Sequence, residues 1–242
     1  MKILITGASG GLGSVLAVLA LERGHQVYAA GRSREKVEKA LESVRTKGYQ
    51  GYRELRKSRA LRILPLDVTS EADAKACART VQEDGGALDG LVNCAAIMIE
   101  REKTLEDLDL DRVVESFQVN TVGPMRMVQH LLPCLYRGEK ASVINISSEA
   151  GTIINAYPSN YAYSMSKTAL NMFSERLREA MREKDILVYS VHPGWMRTNM
   201  GGTDAPADPE DIANGILDLM ERKKRSYSKI SFIDATGRPM PL

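Results

Sequence analysis

Cysteine is scarce in this chain of 242 residues: Cys77, Cys94 and Cys134 are odd in number, far apart and free of any Cys-x-x-Cys spacing. That argues against a disulfide framework or a structural zinc site and fits a reducing compartment. The three histidines, His25, His130 and His192, are scattered, which gives little support to a metal or histidine-based nucleophilic centre; structural or surface roles suit all three. No apolar run reaches the roughly 18 residues of a transmembrane helix. The opening MKILITGASGGLG breaks its apolar stretch with glycines and has no small-residue cleavage pattern, so it does not read as a signal peptide. Net charge is only +2, too small to draw nucleic acid or an acidic membrane by bulk electrostatics. A soluble cytoplasmic protein with small-molecule partners is expected, with no nucleic acid and no membrane among them.

What is present is a globular composition, 43% apolar and 26% charged, in a chain long enough to bury a substantial core as one domain over 1–242. Short apolar runs at 2–6, 26–30, 61–66, 88–93, 142–147, 187–192 and 228–233 alternate with stretches of helical period at 11–23, 33–47, 70–84, within 111–136, within 160–184 and at 208–223. This alternation predicts an α/β fold, a doubly wound Rossmann-type parallel sheet of about seven strands with helices on both faces. Two stretches lengthen the rhythm: a basic insertion at about 45–62 and a Gly/Pro-rich loop at 194–207. Loops at the C-terminal ends of parallel strands bind ligands, so the second is the expected substrate loop.

Thr6-Gly7-Ala8-Ser9-Gly10-Gly11-Leu12-Gly13 follows the first strand and opens the first helix. Glycines there let backbone approach a pyrophosphate, and the N–H groups and dipole of the helix N-terminus stabilise its charge. The pair Gly10-Gly11 fits both Gly-x-x-x-Gly-x-Gly and Gly-x-x-Gly-x-x-Gly. About 20 residues on, an NAD site places a carboxylate, but here the chain reads Gly31-Arg32-Ser33-Arg34. A carboxylate would repel a ribose 2′-phosphate, whereas the Arg32 guanidinium would hold it with charge-assisted bonds. The expectation is NADP(H) over NAD(H), with Arg32 and Arg34 as merely solvated charges the alternative. Asp67-Val68 stands where an adenine edge would arrive; Asp67 also suits a helix-flanking turn.

Tyr163 and Lys167 stand four apart in a helical stretch, which puts phenol and ammonium on one face. A free tyrosine has a pKa near 10 and needs a cation beside it to work as an acid or base at neutral pH. Around this pair lie Asn120, Ser147-Ser148 at the end of the fifth strand, and His192-Pro193-Gly194 followed by Thr198.

With Leu66-Asp67-Val68 and Asn93-Cys94-Ala95-Ala96, these motifs occur in order, and the chain resembles the short-chain dehydrogenase/reductase family, compact type, from Lys2 to about Thr198. The resemblance implies that Tyr163 is the general acid in carbonyl reduction and the base in alcohol oxidation. It implies that Ser148 polarises the carbonyl, that Lys167 lowers the Tyr163 pKa and binds the nicotinamide ribose, and that Asn120 holds a proton-relay water. Gly7, Ser9, Gly11, Leu12, Gly13, Arg32, Asp67, Val68, Asn93, Pro193, Gly194 and Thr198 would complete the cofactor site with Tyr163 and Lys167. Two departures stand out: Asn93-Cys94-Ala95-Ala96 replaces the common Asn-Asn-Ala-Gly, and Ser148 to Tyr163 spans 15 residues where about 13 is common. Tyr161 restores the shorter spacing but has Met165 four residues later.

The ending, from His192-Pro-Gly-Trp-Met-Arg-Thr to Phe232-Ile-Asp-Ala-Thr-Gly-Arg-Pro, resembles the C-factor-like and sniffer-like carbonyl reductase branch. That branch raises an alternative function, a dinucleotide-binding regulatory or signalling protein with vestigial catalysis. The family often pairs helices equivalent to 111–136 and 160–184 between subunits, so the resemblance allows a homodimer or homotetramer, and no sequence pattern decides between these and a monomer.

Cys94 reads as a small buried apolar residue. Ile97, Met98, Ile153, Ile154, Met196 and Met200 come from loops expected near the nicotinamide and predict an open, largely apolar substrate pocket, unless several of them are core. Charge is unevenly placed: 45–62 carries +6 and 222–225 carries +4, so the remaining residues sum to −8. The first patch reads as a solvated insertion, an anion-binding surface or a wider field around the 2′-phosphate; the second complements a helix C-terminus.

Overall fold

The computed structural model describes residues 1–45 and 60–242. Most of the basic insertion, 46–59, therefore lies outside the described residues.

The strands are β1 (Lys2–Ile5), β2 (Gln26–Gly31), β3 (Leu61–Pro65), β4 (Gly90–Asn93), β5 (Ser142–Ile146), β6 (Leu187–His192) and β7 (Phe232–Asp234). They form one sheet in the order β3-β2-β1-β4-β5-β6-β7, and every pairing is parallel. The helices are α1 (Gly11–Glu22), α2 (Arg34–Ser43), α3 (Glu71–Glu83), α4 (Leu110–Phe117), α5 (Gly123–Leu135), α6 (Tyr161–Met181) and α7 (Pro209–Met220). Successive strand residues point to opposite faces, and the core divides accordingly. Ile3, Ile5, Val92 and Ile144 pack with α1, α2 and α7 on one face; Leu4, Leu91 and Val143 pack with α3, α5 and α6 on the other. The expected doubly wound parallel sheet is the observed fold.

β1 pairs with both β2 and β4, so the chain leaves in opposite directions on its two sides. That switch opens a crevice beyond the strand C-termini, where the loops after β1, β2, β3, β4, β5 and β6 meet.

Three expected elements differ. The helix expected within 111–136 is two helices joined by a π-helical turn at Gln118–Val122; Pro124, lacking an N–H, is accommodated at the start of α5. The second helix stops at Ser43. The last strand is confined to Phe232–Asp234, because the Ser231 N–H is taken by Glu175 Oε2 from α6 instead of a strand partner.

The cations at 222–225 lie beyond α7, not in its last turn. Arg222 pairs with Asp185 at 3.0 Å, Lys223 with Glu221 at 2.6 Å and Lys224 with Asp218 at 3.1 Å. The charge of these three is answered by specific carboxylates and not by the helix dipole alone. No described helix is long and apolar enough to cross a membrane.

Candidate active site

The turn from β1 into α1 decides between the two glycine spacings. Gly7 has φ +70°, and a Cβ there would stand 2.8 Å from the backbone of Ala95; Gly11 has φ +52°. A Cβ on Gly13 would lie 2.4 Å from the Gly7 carbonyl oxygen, so Gly13 lets helix and loop close up. Gly10 is extended backbone with open space around it. The backbone thus requires glycine at 7, 11 and 13. The Thr6 hydroxyl accepts from the N–H groups of Cys94 at 3.0 Å and Ala95 at 3.1 Å, tying this turn to the loop after β4. α1 starts with no capping side chain and no acidic residue in its first turn, leaving its N–H groups and dipole for an outside anion.

This cradle forms one wall of a cleft of about 330 Å³ lined by Gly7, Ser9, Gly11, Leu12, Arg32, Asp67, Val68, Tyr163, Lys167, Pro193 and Thr198. Its residues fit an elongated dinucleotide: glycine backbone and a free helix start for a pyrophosphate, a cation at the rim, and an apolar slot beside Val68. The two arginines after β2 part company. Arg34 pairs with Glu38 at 3.4 Å on α2, while Arg32 lines the cleft. Asp67 lines it too and is also a turn residue, its Oδ1 accepting from the Thr69 N–H at 2.9 Å and hydroxyl at 2.7 Å. Burial would raise the Asp67 pKa, but the Thr69 hydrogen bonds, Arg32 and Arg126 outweigh it and hold the carboxyl below its usual range.

At the inner end of the cleft, Tyr163 and Lys167 occupy successive turns of α6, both buried, with Lys167 Nζ 5.5 Å from the centre of the phenol ring. The ammonium donates to the Ile146 carbonyl at 2.7 Å. Burial lowers the Lys167 pKa to about 8 and pushes the Tyr163 pKa up to about 12, with the Ser148 hydroxyl drawing it back down. The lowered tyrosine pKa that the resemblance implies is therefore not a property of the protein by itself: desolvation dominates.

The adjacent serines after β5 point in different directions. Ser147 is buried and donates to Asn171 Oδ1 at 2.6 Å, whereas the Ser148 side chain accepts from the Ala150 N–H at 3.1 Å and lines a second cleft of about 500 Å³. Asn171 also accepts from Ser190 at 2.6 Å and donates to the Gly151 carbonyl at 3.3 Å, so it joins α6, β5, β6 and the turn that carries Ser148. Asn120 is buried on the π turn, and its amide is committed: Oδ1 accepts from Ile97 N–H at 2.9 Å, and Nδ2 donates to the Ile97 carbonyl at 2.9 Å and to Ser166 Oγ at 3.0 Å. π turns of this kind mark functional sites, and this one aims Asn120 at the loop after β4.

Not every expected cofactor residue reaches the first cleft. Gly13 packs behind it, Gly194 lines the second cleft at φ +80°, and Asn93 lies beneath with Nδ2 donating to Asn145 Oδ1 at 2.8 Å. Burial pushes the Cys94 thiol up to about 12, which keeps it a thiol.

The two clefts share Tyr163, Ser147, Pro193, Met196, Thr198 and Met200. The expected apolar substrate pocket is only partly there. Met98, Met196 and Met200 line the second cleft and Ile97 the first, but Ile153 and Ile154 are 75% and 68% exposed and line neither. In their place stand Arg101, Glu149, Tyr157 and His192, because the turn at Glu149–Gly151 carries 153–154 outwards. Sequence reading missed these polar residues; the proximity of His192 to Pro193-Gly194 was the available signal. The 194–207 loop is held by backbone pairing of Met196 with Ala207 and Thr198 with Gly202 and by Arg197 to Asp208 at 2.9 Å.

Comparison with known proteins agrees with this geometry. The chain superposes on a carbonyl reductase from chicken fatty liver, solved with NADPH bound, with TM-score 0.83 and 28% identity, covering 100% of this chain and 98% of that one. It superposes on the carbonyl reductase Sniffer of D. melanogaster with TM-score 0.84 and 26% identity, covering 100% and 99%. C-signal of Myxococcus xanthus is 32% identical over 157 residues, 64% of this chain and 93% of that protein. The model of the short chain dehydrogenase family matches residues 1–208, and the chain belongs to that family of oxidoreductases.

Proposed function

We propose that the protein is an NADP(H)-dependent oxidoreductase that interconverts a carbonyl compound, aldehyde or ketone, and its alcohol. The observation that carries this reading is the position of Tyr163 and Lys167 at the point where a dinucleotide-shaped cleft opens into a second cleft containing Ser148. The NADPH bound to the chicken carbonyl reductase supports the choice of cofactor, as does Arg32 at the rim where a 2′-phosphate would be neutralised.

When bound, NADPH supplies hydride to the carbonyl carbon. The rest falls to side chains. Gly7, Ser9, Gly11 and Leu12 hold the pyrophosphate, Arg32 the 2′-phosphate, and Asp67 and Val68 flank the adenine. Pro193 and Thr198 orient the carboxamide end, with Asn93 and Gly13 supporting from behind and Gly194 turning the chain into the second cleft. Tyr163, kept protonated by burial, donates its phenolic proton to the carbonyl oxygen as negative charge develops there, and Ser148 donates a second hydrogen bond to the same oxygen. Lys167, still mostly charged at pH 7, stabilises the phenolate left behind and holds the ribose. Asn120 holds a proton-relay water, its Oδ1 keeping a second lone pair beyond the bond from Ile97.

A signalling output, raised by the likeness to C-signal, could dispense with Tyr163; the complete set of Asn120, Ser148, Tyr163 and Lys167 favours the enzyme. The test is NADPH oxidation with a panel of carbonyls. Tyr163→Phe is expected to lose about 100- to 10,000-fold in kcat while binding NADPH as wild type does. A wild type that binds NADPH yet reduces no carbonyl overturns the reading.

A further inference from the structure

The second cleft holds a polar hydrogen that no described residue uses. His192 ends β6 and lines that cleft with Ser148 and Tyr163. Its Nδ1 receives the backbone N–H of Glu149 at 3.1 Å. A backbone amide can only donate, so Nδ1 is the unprotonated nitrogen and, in the neutral ring, the hydrogen sits on Nε2. Burial also lowers the His192 pKa, which favours that neutral ring. Glu149 Oε2 lies 3.8 Å from Nε2, beyond hydrogen-bond reach. The ring is mostly enclosed, with 13% of its side chain exposed, and its Nδ1 bond fixes it one residue from Ser148.

We infer that His192 Nε2–H is a substrate-binding donor, and that the site selects carbonyl compounds carrying a second, uncharged oxygen acceptor on a carbon next to the reacting carbonyl or one further along. This deepens, and rests on, the carbonyl reductase reading. Ser148 and Tyr163 address the reacting oxygen; His192, beside Ser148, addresses the second. A neutral acceptor is favoured at the His192 position because the Glu149 carboxylate, 3.8 Å from Nε2, repels an anion there, although Arg101 lines the same cleft. His192 is a specificity-determining residue and carries no proton in the reaction.

The test compares 2,3-hexanedione with 2-hexanone in wild type and His192→Asn. Asparagine keeps an acceptor near the Nδ1 position for the Glu149 N–H but cannot reach the Nε2 position. Intrinsic electrophilicity differs between the two ketones but cancels when their kcat/KM ratio is compared between the two proteins. Expected is a fall of about tenfold in that ratio, the worth of one neutral hydrogen bond, with 2-hexanone turnover and NADPH binding within about twofold of wild type. An unchanged ratio, or an equal fall for both ketones, overturns the inference, since it leaves His192 with only a role in the turn.

Should His192→Asn fail to bind NADPH, wild type decides alone: calorimetry with NADP present should show 3-hydroxy-2-hexanone binding about tenfold more tightly than 2-hexanol, and equal affinities overturn the inference. If wild type reduces neither ketone nor any other carbonyl of the panel, the reductase reading fails, and the same binding comparison still judges His192 separately.

Discussion

Lys167 Nζ lies 5.5 Å from the centre of the Tyr163 ring, and burial moves the two groups in opposite directions, the ammonium down to about 8 and the phenol up to about 12. Both changes penalise the charged forms, which is the expected effect of a low-dielectric site on an acid and a base. The cleft therefore keeps the phenol as a proton donor and holds the ammonium close to losing its proton.

The pH dependence of cofactor capture follows. Lys167 is charged below pH 8 and loses its charge above it, so kcat/KM for NADPH, which reports groups of the free enzyme, should be level below about pH 8 and fall as pH rises through it. In Lys167→Met that descending limb should be absent and the remaining activity low across the range.

Stability should move the other way. The buried ammonium has a single described hydrogen bond, to Ile146, and removing such a charge relieves desolvation. Lys167→Met is expected to stabilise the protein without cofactor by about 1–3 kcal/mol at pH 7, read by chemical denaturation. The folded pKa lies below the unfolded one, so between about pH 8 and 10.5 the unfolded chain binds more protons and wild type gains stability with pH. The advantage of the variant should shrink across that window.

The glycine cradle makes a contrast between neighbours. Gly7→Ala forces a Cβ to 2.8 Å from the Ala95 backbone at φ +70°, whereas Gly10 has free space and extended geometry. Gly7→Ala should cost about 1–3 kcal/mol in stability and abolish measurable NADPH binding; Gly10→Ala should change stability by less than about 0.5 kcal/mol.

Arg32 and Arg34 should separate in the same way. Arg32→Ala is expected to raise KM for NADPH by about 10- to 100-fold, the loss of one or two charge-assisted bonds, and leave KM for NADH within about twofold. Arg34→Ala, which breaks only an exposed pair with Glu38, should leave both unchanged.

Asn171 predicts a coupled loss. Its Oδ1 accepts from both Ser147 and Ser190, so Asn171→Ala strips Ser190 of this acceptor and leaves Ser147 only the longer bond to the Lys167 carbonyl at 3.5 Å, and should cost about 1–3 kcal/mol. Because the same side chain donates to the Gly151 carbonyl, kcat should fall as well, and Asn171→Asp, which retains the acceptor for the two serines but lacks that donor, should not restore it.

Periodicity alone marked the alternating strands and helices, since a two-residue repeat and a 3.6-residue repeat are local properties of the chain. The motifs likewise named Tyr163, Lys167, Ser148 and the glycines, because i,i+4 spacing and a strand-to-helix glycine turn are also local. Glycine spacing leaves Gly10 and Gly11 open, and the resemblance selects Gly11; the physical reason needed the φ angles, and that for Gly7 the approach of Ala95 from 88 residues downstream. Finding the break at Gln118–Val122 needed the long-range bonds of Asn120 to Ile97 and Ser166, which no propensity records. The substrate pocket differs for a similar reason: loop position alone points apolar Ile153 and Ile154 inwards, while the turn after Ser148 sends them to solvent and brings in Glu149, Tyr157 and His192. The sequence by itself determined the sheet, the glycine turn and the pairing of Tyr163 with Lys167 on one helix face, each written in short-range spacing. Only the tertiary structure decided which groups face the substrate, because that depends on how loops from separate strands are folded against one another.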